Sequence, residues 1–139
     1  AARFTKTTLI DDLFEPMELK VLSNGDVLFI QRRGELFIYE AKTQKSRLLG
    51  KIPVFLGLED GLLGLELHPD FERNHLIYLF YSAVSADEQH VSQFKLNQNG
   101  LDTTSEKILL RIPEQRQNLC CHSAGSLYMA KNGELFIAT

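Results

Sequence analysis

Few residues in this chain carry chemistry that could act on a substrate. The tripeptide Cys120-Cys121-His122 sets two thiols beside an imidazole. Imidazole titrates near pH ~6.5 and exchanges protons under ordinary conditions, so His122 reads either as a general base or as a loop histidine with a structural hydrogen bond. Adjacent cysteines cannot staple distant loops and lack the spacing of a zinc site, and there is no Cys-x-x-Cys-His haem motif. A disulfide between neighbours would be strained and redox-labile, which leaves two plain thiols as the simpler reading. A second candidate is Glu59-Asp60, just ahead of Gly61-Leu62-Leu63-Gly64. The Glu59 carboxylate either accepts a ligand hydroxyl or belongs to a solvated turn. His68, in His68-Pro69-Asp70-Phe71, reads as architectural, because Pro69 presets φ and Asp70 can bond its own backbone two residues on. His75 and His90 have no partner at a ligand spacing, and no metal site is read from the chain itself.

The elements that must position these residues are strands. No long stretch repeats apolar residues at i, i+3, i+4 and i+7; short runs of Val, Ile, Leu, Phe and Tyr recur between Gly, Asn and Asp turns instead. The first unit reads as strands at Met17–Leu22, Val27–Gln31, Glu35–Glu40 and Ser46–Gly50. The second reads as Gly61–Leu67, Leu76–Tyr81, His90–Leu96 and Lys107–Ile112. The third begins with Ser126–Ala130 and Glu134–Thr139. Asn24-Gly25 and Asn132-Gly133 between apolar runs are hairpin cues, since both residue types tolerate positive φ. The runs at 27–30 and 76–81 are nearly continuous, as strands covered on both faces would be. The Asn-Gly strand pattern returns after about 50 to 55 residues per unit, in the range of propeller blades.

The expected organisation is therefore all-β, a partial β-propeller of about two and a half four-stranded blades. Residues 1–12 supply a spare N-terminal strand (Phe4–Ile10), 13–56 blade one, 57–116 blade two and 117–139 the start of blade three. Hydrophobic residues make up 44% and charged residues 24% of the 139, with a formal net charge of −3. That is the composition of a globular domain, and without a clustered basic face a nucleic-acid partner is not expected. Arg32-Arg33 reads as a solvated turn. No apolar run approaches the ~20 residues of a membrane span, and no signal peptide is visible. An open arc of blades exposes apolar faces and strand edges, so either further blades or self-association must cover them.

Three stretches carry a family resemblance: Gly61-Leu62-Leu63-Gly64-Leu65-Glu66-Leu67-His68-Pro69-Asp70-Phe71 followed by Leu76–Tyr81; Leu28–Leu36; and His122-Ser123-Ala124-Gly125-Ser126-Leu127 followed by Asn132–Ile137. In order and spacing they resemble the soluble quinoprotein glucose/sorbosone dehydrogenases, six-bladed propellers that use pyrroloquinoline quinone (PQQ) and calcium. The resemblance implies that this chain is the N-terminal portion of a sugar dehydrogenase that oxidises an aldose-type hydroxyl to a lactone, and that it is inactive in isolation. It implies His122 as the general base, and Glu59 and Cys121 beside the cofactor, with most PQQ and calcium ligands outside this chain. It also implies a periplasmic or extracellular location and leaves the electron acceptor open. Two positions depart from the family pattern: Ser126 replaces an arginine, and Cys121 stands where an aspartate can precede the histidine. A non-catalytic propeller module that binds carbohydrate or protein is the alternative.

Overall fold

The computed structural model describes residues 3–117 and 123–139. Three antiparallel sheets follow one another along the chain. The first runs in the order β1 (Pro16–Val21), β2 (Val27–Gln31), β3 (Glu35–Glu40) and β4 (Lys45–Lys51). The second is β5 (Leu62–Leu67), β6 (Leu76–Ser82), β7 (Glu88–Asn97) and β8 (Gly100–Pro113), and the third pairs β9 (Ser126–Met129) with β10 (Leu135–Ala138). Each sheet is a meander in which every strand pairs with its sequence neighbour, so short turns set the register. At the first hairpin Val21 opposes Val27, and Gly25 takes φ +87°, a value that glycine adopts without Cβ strain.

The sheets stack face to face, and alternation along β6 shows how. Ile77, Leu79 and Tyr81 point into a cluster with Leu28, Ile30 and Leu36 of the first sheet. Tyr78 and Phe80 point the other way, onto Leu127 of the third. With period-two side chains, a central strand covered on both faces must be apolar at every position, which is why residues 76–81 read LIYLFY. Burying each such Leu or Ile contributes about 1.5–3 kcal/mol. This is the arrangement of propeller blades: two complete four-stranded sheets and the first two strands of a third.

At the inner edge, β1, β5 and β9 lie side by side, and Glu66 of β5 reaches both neighbours. Its Oε2 accepts from Lys20 Nζ of β1 at 3.0 Å and from the Met129 N–H of β9 at 3.2 Å, while its Oε1 accepts the Leu67 N–H at 2.8 Å. β5 and the segment entering β9 approach so closely that a Cβ added at Gly64 would lie 1.9 Å from the Gly125 carbonyl oxygen.

Two details differ from the sequence reading. The outer strand β8 spans Gly100–Pro113, not Lys107–Ile112 alone, because its register shifts between Gln93 and Lys95 and it continues past the irregularity. The His-Pro-Asp-Phe turn contains one helical turn, α1 (Phe71–Asn74); there the His68 ring, not the Asp70 carboxylate, makes the local backbone bond, with the Asp70 N–H donating to His68 Nδ1 at 3.0 Å. The spare N-terminal segment Phe4–Ile10 joins no ladder among the described residues. Instead, Lys6–Ile10 lie over the outward face of the first sheet and line an apolar cleft with Met17, Leu19 and Phe29.

Gly64→Ala should push β5 from the backbone of residue 125 and destabilise the fold by roughly 1–3 kcal/mol or more, read from urea denaturation.

Candidate active site

Antiparallel blades bring every second connection to the same end of the arc. The β2–β3 turn, the β4–β5 connection, the β6–β7 loop and the β8–β9 connection therefore meet on one face. There the β4–β5 and β8–β9 connections, with Gln89 of β7, line a cavity of about 520 Å3 whose walls include Phe55, Glu59, Asp60, Gln89, Arg116 and Ser123.

Arg116 ties these loops together. Its Nη1 donates to the carbonyls of Ala83 at 2.9 Å and Ala86 at 2.7 Å, its Nη2 to that of Glu88 at 3.1 Å, and its Nε to Glu114 Oε2 at 2.9 Å. The guanidinium also lies 4.1 Å over the Phe55 ring of the β4–β5 connection. A planar fork with five fixed donors suits a site where three carbonyls and a carboxylate converge. A second arginine, Arg32 on the β2–β3 turn, donates to the Asp60 carbonyl at 2.7 Å and pairs with Glu15 at 2.9 Å. The solvated-turn reading thus fits Arg33, whose side chain is 51% exposed, and fails for Arg32, at 19%. The contacts that hold Arg32 come from residues 17 and 28 positions away, beyond the reach of local pattern.

Three carboxyl side chains, Glu59, Asp60 and Glu114, and the Ser123 hydroxyl sit at the cavity wall, with the buried Ser82 hydroxyl behind Asp60. The buried Asp60 carboxylate accepts from Ser82 Oγ at 2.9 Å through Oδ1. Ser123 Oγ lies 3.1 Å from that same oxygen and 3.3 Å from Glu114 Oε1. Burial foremost, and then the neighbouring Asp60, hold the Glu114 carboxyl above the ordinary carboxylate range, against the opposing pull of Arg116. Gln89 completes the wall by donating from Nε2 to the Ala124 carbonyl at 3.0 Å.

Of the residues singled out from sequence, Glu59 lines this cavity. Cys121 and His122 lie outside the described residues, as does Cys120; Ser123, the next residue after His122, is at the cavity wall. His90, assigned nothing from sequence, is buried in a second polar cluster. Its Nε2 is 2.8 Å from Glu88 Oε1, Arg111 Nη1 reaches Glu88 Oε1 at 2.8 Å, and His90 Nδ1 is 3.3 Å from the Tyr81 hydroxyl, which donates to Glu106. The hydrogen bonds from His90 first and Arg111 second hold Glu88 below the usual carboxylate range. Burial, and then the bond to Glu106, push the Tyr81 phenol well above its ordinary value. Among the described residues, no group of three or more His, Cys, Asp or Glu side chains is placed to hold a metal ion.

The family model described as glucose/sorbosone dehydrogenase matches residues 13–139. The fold is similar to that of the soluble aldose sugar dehydrogenase of Escherichia coli in its apo form, with a TM-score of 0.81 and 31% identity over 95% of this chain and 39% of that one. It is likewise similar to the PQQ-bound aldose sugar dehydrogenase of Streptomyces coelicolor, with a TM-score of 0.82 and 24% identity over 94% of this chain and 39% of that one, a likeness of fold alone. An uncharacterized protein of Synechocystis is 31% identical over 83 residues, which are 53% of this chain and 20% of that protein. The chain thus spans about 39% of the length of these solved relatives.

Arg116→Ala would strand three carbonyls and Glu114 at once and should cost about 2–4 kcal/mol in chemical denaturation. Tyr81 gives a pH prediction. Its phenol holds its proton more tightly folded than unfolded, so the fold loses stability as pH rises above the unfolded value near ~10, and Tyr81→Phe should remove that part of the slope in denaturation series at alkaline pH.

Proposed function

Because the chain belongs to the glucose/sorbosone dehydrogenase family, we propose that the cavity on the loop face is the sugar-binding wall of a PQQ-dependent dehydrogenase and that His122 is its general base. The observation that supports this most directly is the convergence of Glu59, Asp60, Glu114 and Ser123, two of them flanking the sequence Gly61-Leu62-Leu63-Gly64 and His122, on one polar cavity.

Acceptor oxygens in a concave site suit a polyhydroxyl substrate, whose hydroxyls all need partners when desolvated. The Glu59 carboxylate accepts a sugar hydroxyl. The His122 imidazole takes the proton from the hydroxyl being oxidised, which makes the neighbouring carbon–hydrogen bond a better hydride donor; PQQ, held by other residues, would supply the oxidising power that takes up the hydride, and the sugar would leave as a lactone. Cys121 stands beside this base without the charge that a carboxylate would lend to its cation.

The described wall does not fit PQQ, a tricarboxylate, by itself. Its one lining cation, Arg116, spends its donors on three carbonyls and Glu114, and the remaining ionisable groups there are acids. PQQ and calcium are accordingly assigned to residues outside the described ones, Cys121 among them, with Glu59 at their edge, and the chemistry of this segment stops at the substrate hydroxyl. The 139 residues alone are expected to be inactive, and the location is expected to be periplasmic or extracellular. Among the described residues, no helix is long and apolar enough to cross a membrane.

The full-length protein that carries this segment, supplied with PQQ and calcium, should reduce a dye acceptor with one or more aldoses. His122→Ala should lower kcat/KM by ~10²–10⁴, the range for loss of a positioned general base. Dye reduction by no sugar, together with retained carbohydrate binding, would instead identify a non-catalytic binding module.

A further inference from the structure

The wall of the cavity contains a proton-counting problem. Ser123 Oγ has one hydrogen to donate, and two carboxyl oxygens lie within reach of it: Asp60 Oδ1 at 3.1 Å and Glu114 Oε1 at 3.3 Å. Were both acids ionised, one of these contacts would set two lone-pair-bearing oxygens against each other with no proton between them. Asp60 Oδ1 already receives a second hydroxyl, from Ser82, so it is the natural acceptor. Glu114 Oε2 receives the Arg116 Nε–H, which leaves Oε1 as the atom that can carry a proton.

We propose that Glu114 is a positioning residue of this cavity: its neutral carboxyl donates from Oε1 to Ser123 Oγ, Ser123 donates to ionised Asp60, and this directed chain fixes the wall that Ser123 and Ala124 form. The chain joins the β4–β5 connection to both ends of the β8–β9 connection, through residues 54 to 63 positions apart in sequence. The upward shift of the Glu114 carboxyl by burial and by Asp60 is consistent with this. Among the described residues, the charged groups around the pair are Arg116 on Glu114, Asp87 3.8 Å from Arg116, and Glu59 in the same cavity. Arg32 faces the Asp60 carbonyl, with Glu15 as its ion-pair partner, so it does not neutralise the Asp60 carboxylate directly. The Glu88 carboxylate is turned to His90 and Arg111. His122 precedes Ser123 in sequence.

The sign of the pH effect follows. Glu114 binds its proton more tightly folded than unfolded. The stabilisation is therefore complete below the unfolded carboxyl value of ~4.3 and is lost as pH rises through the higher folded value.

The test is made on the full-length protein and takes this cavity as the substrate site proposed above. In Glu114→Gln the amide N–H replaces the acid proton toward Ser123, and the amide oxygen still accepts from Arg116. This variant should keep the wild-type denaturation midpoint at about pH 6, where an unperturbed Glu is ionised, and lose the pH slope. Glu114→Ala should lower the midpoint and raise the sugar KM more than Glu114→Gln does. Asp60→Asn, which turns an amide donor or a weaker acceptor toward two hydroxyl donors, should be the more damaging of the two conservative changes. Infrared spectra at about pH 6 should contain a protonated carboxyl signal that Glu114→Gln abolishes. No such signal in the wild type, or a Glu114→Gln variant as unstable as Glu114→Ala, would mean that Glu114 is ionised and would overturn the proposal. Sugar oxidation measured on the same samples separates the two readings. The signal without any sugar oxidation sinks only the proposed activity, and sugar oxidation without the signal sinks only the proton chain.

Discussion

The Glu66 carboxylate is the interaction on which the alignment of the three sheets depends. One side chain on the inner strand of the second sheet accepts a lysine ammonium from the first and a backbone N–H from the third. Apolar stacking between sheets is strong but non-directional, and alone it would tolerate sliding of one blade along the next. A buried carboxylate with fixed donors on two sides does not tolerate it, because losing either donor leaves the buried charge less compensated. The close approach of Gly64 to residue 125 has the same effect in steric form, since only a residue without Cβ allows the backbones to come so near.

Registered sheets are what make the loop face a site. The four connections that meet there are irregular, and none of them folds on its own. They take their positions from strand ends, and arginines then bind them to one another: Arg116 gathers the β6–β7 and β8–β9 connections, and Arg32 gathers the β4–β5 connection. Arg116 spends its donors mainly on carbonyl oxygens and Arg32 divides its own between two carbonyls and Glu15, so the positive charge organises backbone and leaves the cavity itself acidic. That balance favours neutral, hydroxyl-rich molecules over anions in this part of the surface.

The strands were legible from sequence because period-two burial writes itself locally. Val27–Gln31, Glu35–Glu40 and the start of Leu76–Ser82 need only their own residue types and the flanking turns to be recognised. The candidate cavity was legible where a motif adjoins it, as at Glu59, which lines it and precedes Gly61-Leu62-Leu63-Gly64. It was not legible at Asp60, Glu114 and Arg116, whose roles arise from partners tens of residues away, nor at Arg32 and His90, which look in sequence like a turn charge and an isolated imidazole. Glu66, in a run that otherwise reads as plain strand, likewise shows its part only once three inner strands are side by side. Long-range polar contacts obey geometry, not periodicity, and periodicity is what a single sequence displays.

The hairpin at Gly133 points to the end of the arc opposite the cavity, and a Cβ placed there would meet nothing within 4 Å. Connections at that end are short turns, three of them at Asn-Gly, and one helical turn, and none of them lines the cavity. A fluorophore or a short inserted peptide could therefore be attached at that tip while the cavity at the other end stays open, which makes it the natural handle for oriented immobilisation of the molecule.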